Sequence, residues 1–196
     1  MDLSTLAFAM GSAWLSGINL YATVLTLGLL ERFHIAQLPG DLSYLGHTWV
    51  LIAAGALYAV EFVADKIPAV DSAWDMVHTF IRVPAGAILA ASAFAHFDPS
   101  IRLVAMLAGG GIALSSHGVK AASRLAANTS PEPFSNLLLS LIGDAIAIGG
   151  ALLMSVHPLV LFIIALAAAA VSFLVIRWIW RSMKRVFRPR SALRPA

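Results

Sequence analysis

The chain has no cysteine among its 196 residues and little charge: 12% of it is Asp, Glu, Lys or Arg, and 60% is hydrophobic. The lack of cysteine excludes disulfides, thiolate metal centres and thiol catalysis, and is compatible with any redox compartment. The shortage of charge excludes more. A soluble domain carries about 25% charged and about 45–50% apolar residues, so this chain has too few charges to cover a globule in water. That removes an ordinary cytosolic enzyme, a disordered chain and a nucleic-acid-binding domain, in spite of a pI of 9.7. The mean hydropathy of +0.86 points instead to a polytopic membrane protein. No Ser sits in a Gly-x-Ser-x-Gly turn, and no catalytic residue is evident.

What is present is a series of long apolar runs. A helix needs about 20 mainly apolar residues to cross the hydrocarbon core. Six segments qualify: Leu3 to Leu30, Thr48 to Ala64, Val83 to Phe97 with residues borrowed from Trp74 to Arg82, Leu103 to Ala127, Phe134 to Val156, and Pro158 to Trp180. Backbone groups in lipid must be satisfied internally, and there is no strand alternation. The fold class is therefore all-α, a membrane bundle of about six helices. The first run holds the polar step Ser16-Gly17-Ile18-Asn19 and reads as one long or broken span. With no Lys or Arg before Arg32 it lacks the basic start of a cleaved signal peptide.

Six crossings place both termini on one side. That side holds Lys66, Arg82, Lys120, Arg124 and seven basic residues from Arg177 onward, eleven in all; the other holds Arg32 and Arg102. By the positive-inside rule both termini are expected in the cytoplasm of a bacterial cell, with the chain in its cytoplasmic membrane. Residues 1–182 read as one transmembrane domain and 183–196 as a basic tail, whose expected partner is anionic lipid at about 1 kcal/mol per basic residue. Trp178 and Trp180 at one interface, and Trp49 at the other, have the positions of anchoring aromatics. Small-residue stretches such as Gly109-Gly110-Gly111 permit close helix approach, within the chain or between copies of a homo-oligomer. Similar polar steps at Ser16-Gly17 and His117-Gly118, and acids at Glu61 and Asp144, suggest repeats 1–98 and 99–182 in inverted orientation, with broken or re-entrant helices. Transporters built that way bind cargo at the repeat interface.

The internal charges fall on stripes. Glu61 and Asp65 are four apart. Pro68 then ends the helix, since the residue before proline disfavours the α region. Asp71, Asp75, His78 and Arg82 recur at helical spacing on the approach to the third span, with Trp74, Val77 and Ile81 on another face. His117, Lys120, Arg124 and Asn128 form a second, basic stripe. Ser130 and Pro131 have the pattern of a helix start, and Glu132, Asn136, Ser140 and Asp144 then recur every four residues. Ionisable residues in membrane segments should face the bundle interior and each other. Asp71 also suits a helix cap, and Lys66 and Arg124 suit snorkelling to the interface.

Two segments carry a resemblance. Glu61-x-x-Ala64-Asp65-Lys66-Ile67-Pro68-x-x-Asp71-x-x-Trp74-Asp75-x-x-His78-Thr79 is the first. The second is His117-x-x-Lys120-Ala121-x-x-Arg124-x-x-x-Asn128-x-Ser130-Pro131-Glu132-Pro133-x-Ser135-Asn136. Together they resemble a family of small bacterial integral membrane proteins described as a domain of unknown function. The resemblance covers nearly all of the chain except the basic tail. It implies a six-span membrane domain and supplies no activity. It also implies Glu where this chain has Asp144, which keeps the charge but shortens its reach.

Three functional classes remain open. A small transporter or permease would move an ion, a proton-coupled solute or an anionic lipid, with Glu61 and Asp144 as midplane carboxylates and His117, Lys120 and Arg124 holding anionic cargo. The binding set would be Glu61, Asp65, Asp71, Asp75, His78, Arg82, His117, Lys120, Arg124, Asn128, Glu132, Asn136 and Asp144. No organic cofactor is expected. An intramembrane metal-binding protein or enzyme would use Asp71, Asp75, His78 and His117. A non-transporting scaffold would pair its charges internally, for example Glu61 with Lys120 or Asp144 with Arg82.

Overall fold

The structure, a computed structural model, describes residues 2–127 and 133–186. Among them lie six long helices: α1 (Leu3–Arg32), α2 (Thr48–Ala64), α3 (Pro68–Ala93), α4 (Pro99–Ala127), α5 (Pro133–Val156) and α6 (Pro158–Val186), with a short 3-10 helix at Gly40–Gly46 before α2. Five helices are long and apolar enough to cross a membrane, and the short helix with α2, bent by 71° between them, makes up to a sixth. Asp2 caps α1 by accepting from the Ser4 N–H at 3.1 Å. Ile67 is extended and Pro68 opens α3, because proline lacks the N–H that a first helical turn leaves unused. The third helix therefore begins well before the apolar run at Val83, and carries the whole stripe from Asp71 to Arg82. The glycine triplet at 109–111 does not break α4, which is continuous.

Helix α1 is the hub of the bundle and packs against every other long helix. It is also broken. Asn19 is extended (φ −147°, ψ 103°) between two helical halves, residues 3–18 and 20–32. Contacts fix the direction of each half. In the first half Ser16 lies beside Gly86, Ala13 beside Gly109, and Gly11 beside Met154 and Leu161, while Leu6 and Met10 line a groove with Phe94 and Ala105. In the second half Leu25 approaches Gly55, Gly28 meets Leu45 and Leu51, and Glu31 packs on Gly46. Gly40, at φ +58°, lies against the backbone carbonyls of Ser92 and Ala93, a position closed to any side chain. Both ends of α1 therefore lie at the end of the bundle where α3 finishes and α4 begins. The chain descends to Asn19 and returns. At about 1.5 Å per residue the halves are about 24 and 20 Å long, each short of a core about 30 Å thick.

This corrects the even-crossing topology. Helix α1 folds back on itself as a hairpin, and the five helices α2 to α6 then run along the bundle in alternating directions. The N-terminus and the end of α6 lie at opposite ends of the bundle, not together. The basic count is untouched, because no Lys or Arg precedes Arg32. A re-entrant break is tolerated at membrane depth only where protein covers it, and Ser12, Ser16, Asn19 and Thr23 are all fully buried. Close packing makes the cover. Gly17 abuts Ser116, Ala113 and His117, Gly86 abuts Ala113, and Gly109 abuts Ala90. Ser116 Oγ donates to the Trp14 carbonyl at 2.8 Å, tying α4 to α1.

Candidate functional site

Below the tip of the hairpin the charged stripes meet. Glu61 lies in the last turn of α2, α3 presents Asp71, Asp75, His78 and Arg82 on one face, and α4 presents His117, Lys120 and Arg124. All of these are buried except Lys120, whose side chain is 9% exposed. Arg82 donates from Nη2 to Glu61 Oε1, and from Nη1 to Asp75 Oδ1 at 3.2 Å. Lys120 Nζ reaches Glu61 Oε1 at 3.4 Å and Asp65 Oδ2 at 3.3 Å. Arg124 grips Asp65 with both Nη atoms, at 3.0 and 2.7 Å, and reaches Asp71 at 2.7 Å and Asp75 at 3.4 Å. Three cations thus bind four carboxylates in one layer; the partners of Lys120 and Arg124 are 49 to 59 positions away, and those of Arg82 are 21 and 7. Bidentate Arg–carboxylate pairing of this kind suits buried sites, where the fork meets both oxygens at once.

Two histidines line the layer. Arg82 Nη1 lies 3.1 Å from His117 Nδ1, and the Thr79 hydroxyl lies 2.8 Å from His117 Nε2. His78 Nδ1 is 2.8 Å from the Trp74 carbonyl, its Nε2 is 3.1 Å from the Tyr21 hydroxyl, and the Trp74 ring stacks on it at 4.4 Å. Asp65 sits in the connection between α2 and α3. Burial alone would raise its carboxyl, but the hydrogen bonds from Arg124 and the charges of Lys120 and Arg124 outweigh burial and hold it below its ordinary 3.8.

Asp144 stands apart from this layer. Its Oδ1 accepts from Asn19 Nδ2 at 2.8 Å, and Asn19 Oδ1 in turn accepts from the Ala22 N–H at 2.9 Å. Asn19 is thus the N-cap of the second half of α1 and the partner of Asp144 at the same time. Among the described residues no cation pairs with Asp144. Asn136, two turns below on α5, donates to the Asp65 carbonyl at 3.4 Å.

Most of the residues singled out in the sequence are therefore brought together. Asn128 and Glu132 lie outside the described residues, as do Ser130 and Pro131. The pairing of Glu61 with Lys120 is present; the pairing of Asp144 with Arg82 is not, since Arg82 is taken by Glu61 and Asp75. Arg124 does not snorkel: it is 2% exposed and engages three aspartates. Lys66 does turn outward, folding over Phe62 and donating to its carbonyl at 2.7 Å. Asp71, in the first turn of α3, accepts from Arg124. Among the described residues no three His, Asp or Glu converge as a metal site. A metal at Asp71, Asp75, His78 and His117 would have to displace Arg124 and Arg82 first. Tyr21 joins the site without a signal in the sequence, Thr79 stands there only within the first motif, and Asn19 only within a polar step. An amide inside an otherwise apolar run was the available signal.

No curated protein and no solved structure matches the chain. Residues 6–180 match the family described as Domain of unknown function (DUF4126), covering the hairpin, the ionic layer and all but the end of α6, and the chain belongs to that family.

Proposed function

We propose that the protein is a small permease whose pathway runs past the tip of the α1 hairpin. It moves an ion, a proton-coupled solute or an anionic headgroup. The observation that carries this reading is the placement of a broken helix against a buried carboxylate and a buried ionic layer. Transporters place cargo and coupling ions at such breaks, where half-helix ends supply partial charges that an unbroken helix keeps to itself. The layer of Glu61, Asp65, Asp71, Asp75, Arg82, Lys120 and Arg124 is then a closed gate on one side of the tip. Opening it exchanges ion pairs for cargo. In the membrane of a bacterial cell the end with eleven basic residues faces the cytoplasm, with the tail from Arg177 against anionic lipid. The gate is on that side and the N-terminus on the other. The acids at Glu61 and Asp144 support a relation between residues 1–98 and 99–182, while the broken α1 and the continuous α4 differ.

The test is flux in proteoliposomes of anionic phospholipid. Protons, alkali cations, inorganic phosphate and a fluorescent anionic lipid serve as probes, each under an imposed gradient. Protein-dependent flux of at least one probe, lowered tenfold or more in Glu61→Gln and Asp144→Asn, is expected. Flux unchanged in both variants removes these carboxylates from the mechanism. No protein-dependent flux of any probe favours a scaffold, a reading supported by the mutual pairing of Arg82, Lys120 and Arg124 with their four carboxylates.

A further inference from the structure

Three side chains on one face of α5 hold oxygen atoms that none of the described residues satisfies. Asn136 Oδ1, Ser140 Oγ and Asp144 Oδ2 are buried and lack a hydrogen-bond partner among the described residues. The residues are 2%, 1% and 6% exposed. They lie four apart, so they form a column about 12 Å tall at helical rise, from the Asp65 carbonyl up to Asn19. A buried acceptor left unpaired costs about 1–3 kcal/mol, and more when charged. Three oxygens in register on one helix face offer lone pairs that a cation meets together.

The break in α1 lies at the upper end of this column. In an unbroken helix the carbonyls of Ser16, Gly17 and Ile18 would take the N–H groups of residues 20, 21 and 22. The extended Asn19 removes that alignment, and the Ala22 N–H turns to the Asn19 side chain instead. The first half of α1 therefore ends on carbonyls, the negative end of its dipole. The Ile18 side chain lies beside Gly143, one residue from Asp144. The Asp144 carboxyl lies beside the break in a covered place, while the cations of the ionic layer are committed elsewhere. Oxygen-only ligands of this kind suit hard cations. A single carboxylate balances one positive charge.

We propose that Asp144 Oδ2 and Ser140 Oγ, beside the break in α1, bind a small monovalent cation, with Asn136 marking its route from the α2–α3 end. The source is an alkali ion or a proton on the same carboxylate. This rests on the permease reading for its purpose but not for its test, because binding is measured without a gradient.

The full chain in nanodiscs is titrated with NaCl, then KCl, against choline chloride at constant ionic strength, and the melting temperature is followed. A ligand that binds only the folded state raises it in a saturable way. The infrared band of a protonated carboxyl is recorded in parallel. An alkali site gives a saturable rise of several degrees that Asp144→Asn abolishes. A proton site gives no alkali effect but a protonated-carboxyl band that Asp144→Asn removes. Ser140→Ala keeps the carboxylate and should weaken apparent alkali affinity up to about tenfold, or shift the band, which serves if Asp144→Asn does not fold. Neither a saturable rise nor the band in the unmodified protein overturns the proposal, as does either signal surviving unchanged in both variants. Binding without flux of any probe would overturn the permease reading and leave the site standing.

Discussion

Asn19 and Asp144 meet at the one non-helical residue inside α1, amide to carboxylate at 2.8 Å, although 125 positions separate them in the chain. The same Asn19 side chain caps the second half of the hairpin through the Ala22 N–H. One residue thus holds the break open, starts the returning helix and fixes the carboxylate beside it.

Asn19→Ala should destabilise the protein on both counts. The lost cap costs about 1–2 kcal/mol, and the buried acceptor on Asp144 left behind costs about 1–3 kcal/mol. Chemical unfolding in detergent reads the sum. A change within error of zero would mean that the hairpin tip is held by packing alone.

The topology can be read with thiol reagents, because the chain has no cysteine of its own. Ser4→Cys and Ser100→Cys should react with an impermeant maleimide from one face of the membrane, and Ser123→Cys from the other. If Ser4→Cys instead labels with Ser123→Cys, α1 crosses the membrane and is no hairpin.

The pairing of Arg82 with Glu61 predicts a strong non-additivity. Arg82→Met alone leaves a buried carboxylate short of its main partner, a loss of about 3–5 kcal/mol. Adding Glu61→Gln should recover much of that loss, since Asp75 keeps Arg124 and Lys120 keeps Asp65. A double-mutant cycle on unfolding measures the coupling, and strict additivity would show that the two residues do not act as a pair.

Acid should loosen the α2–α3 end through Asp65. Its carboxyl is held below 3.8 in the folded chain. Its contribution is therefore fully present above the ordinary carboxylate value and is lost as pH falls through the lowered folded value. Unfolding midpoints of Asp65→Asn should lie below those of the unmodified chain at neutral pH, and the gap should close in strong acid. A gap independent of pH would contradict the pairing.

Two glycines should respond in opposite ways to alanine. At Gly17 a Cβ would strike Ser116 and the Ala113 carbonyl, while at Gly111 it would meet nothing within 4 Å. Gly17→Ala should cost about 1–3 kcal/mol through overpacking. Gly111→Ala, in the interior of α4, should gain up to about 1 kcal/mol from helix propensity. Thermal unfolding of the pair in the same detergent gives the comparison.

Much of the ionic layer is legible in the chain because a helix repeats every 3.6 residues. Spacing alone places Asp71, Asp75, His78 and Arg82 on one face, and His117, Lys120 and Arg124 on another. The high cost of lipid-exposed charge then says that the two faces turn inward. Spacing cannot choose partners. That Arg124 would gather three aspartates, or that Arg82 would take Glu61 and leave Asp144 to Asn19, depends on the relative height and rotation of four helices. Small residues at Gly17, Gly86 and Gly109 set those by letting backbones approach.

The scarcity of charge and the apolar runs determined by themselves that this is a helical membrane protein, and the sites of its thirteen basic residues determined which end carries the positive charge. Only the tertiary structure decided that the first run folds back at Asn19. A charge-free stretch of this length satisfies hydropathy whether it is straight or folded back on itself. The choice lies in one residue's backbone angles, and those are stable only because α3, α4 and α5 surround Asn19 and supply the carboxylate that it binds.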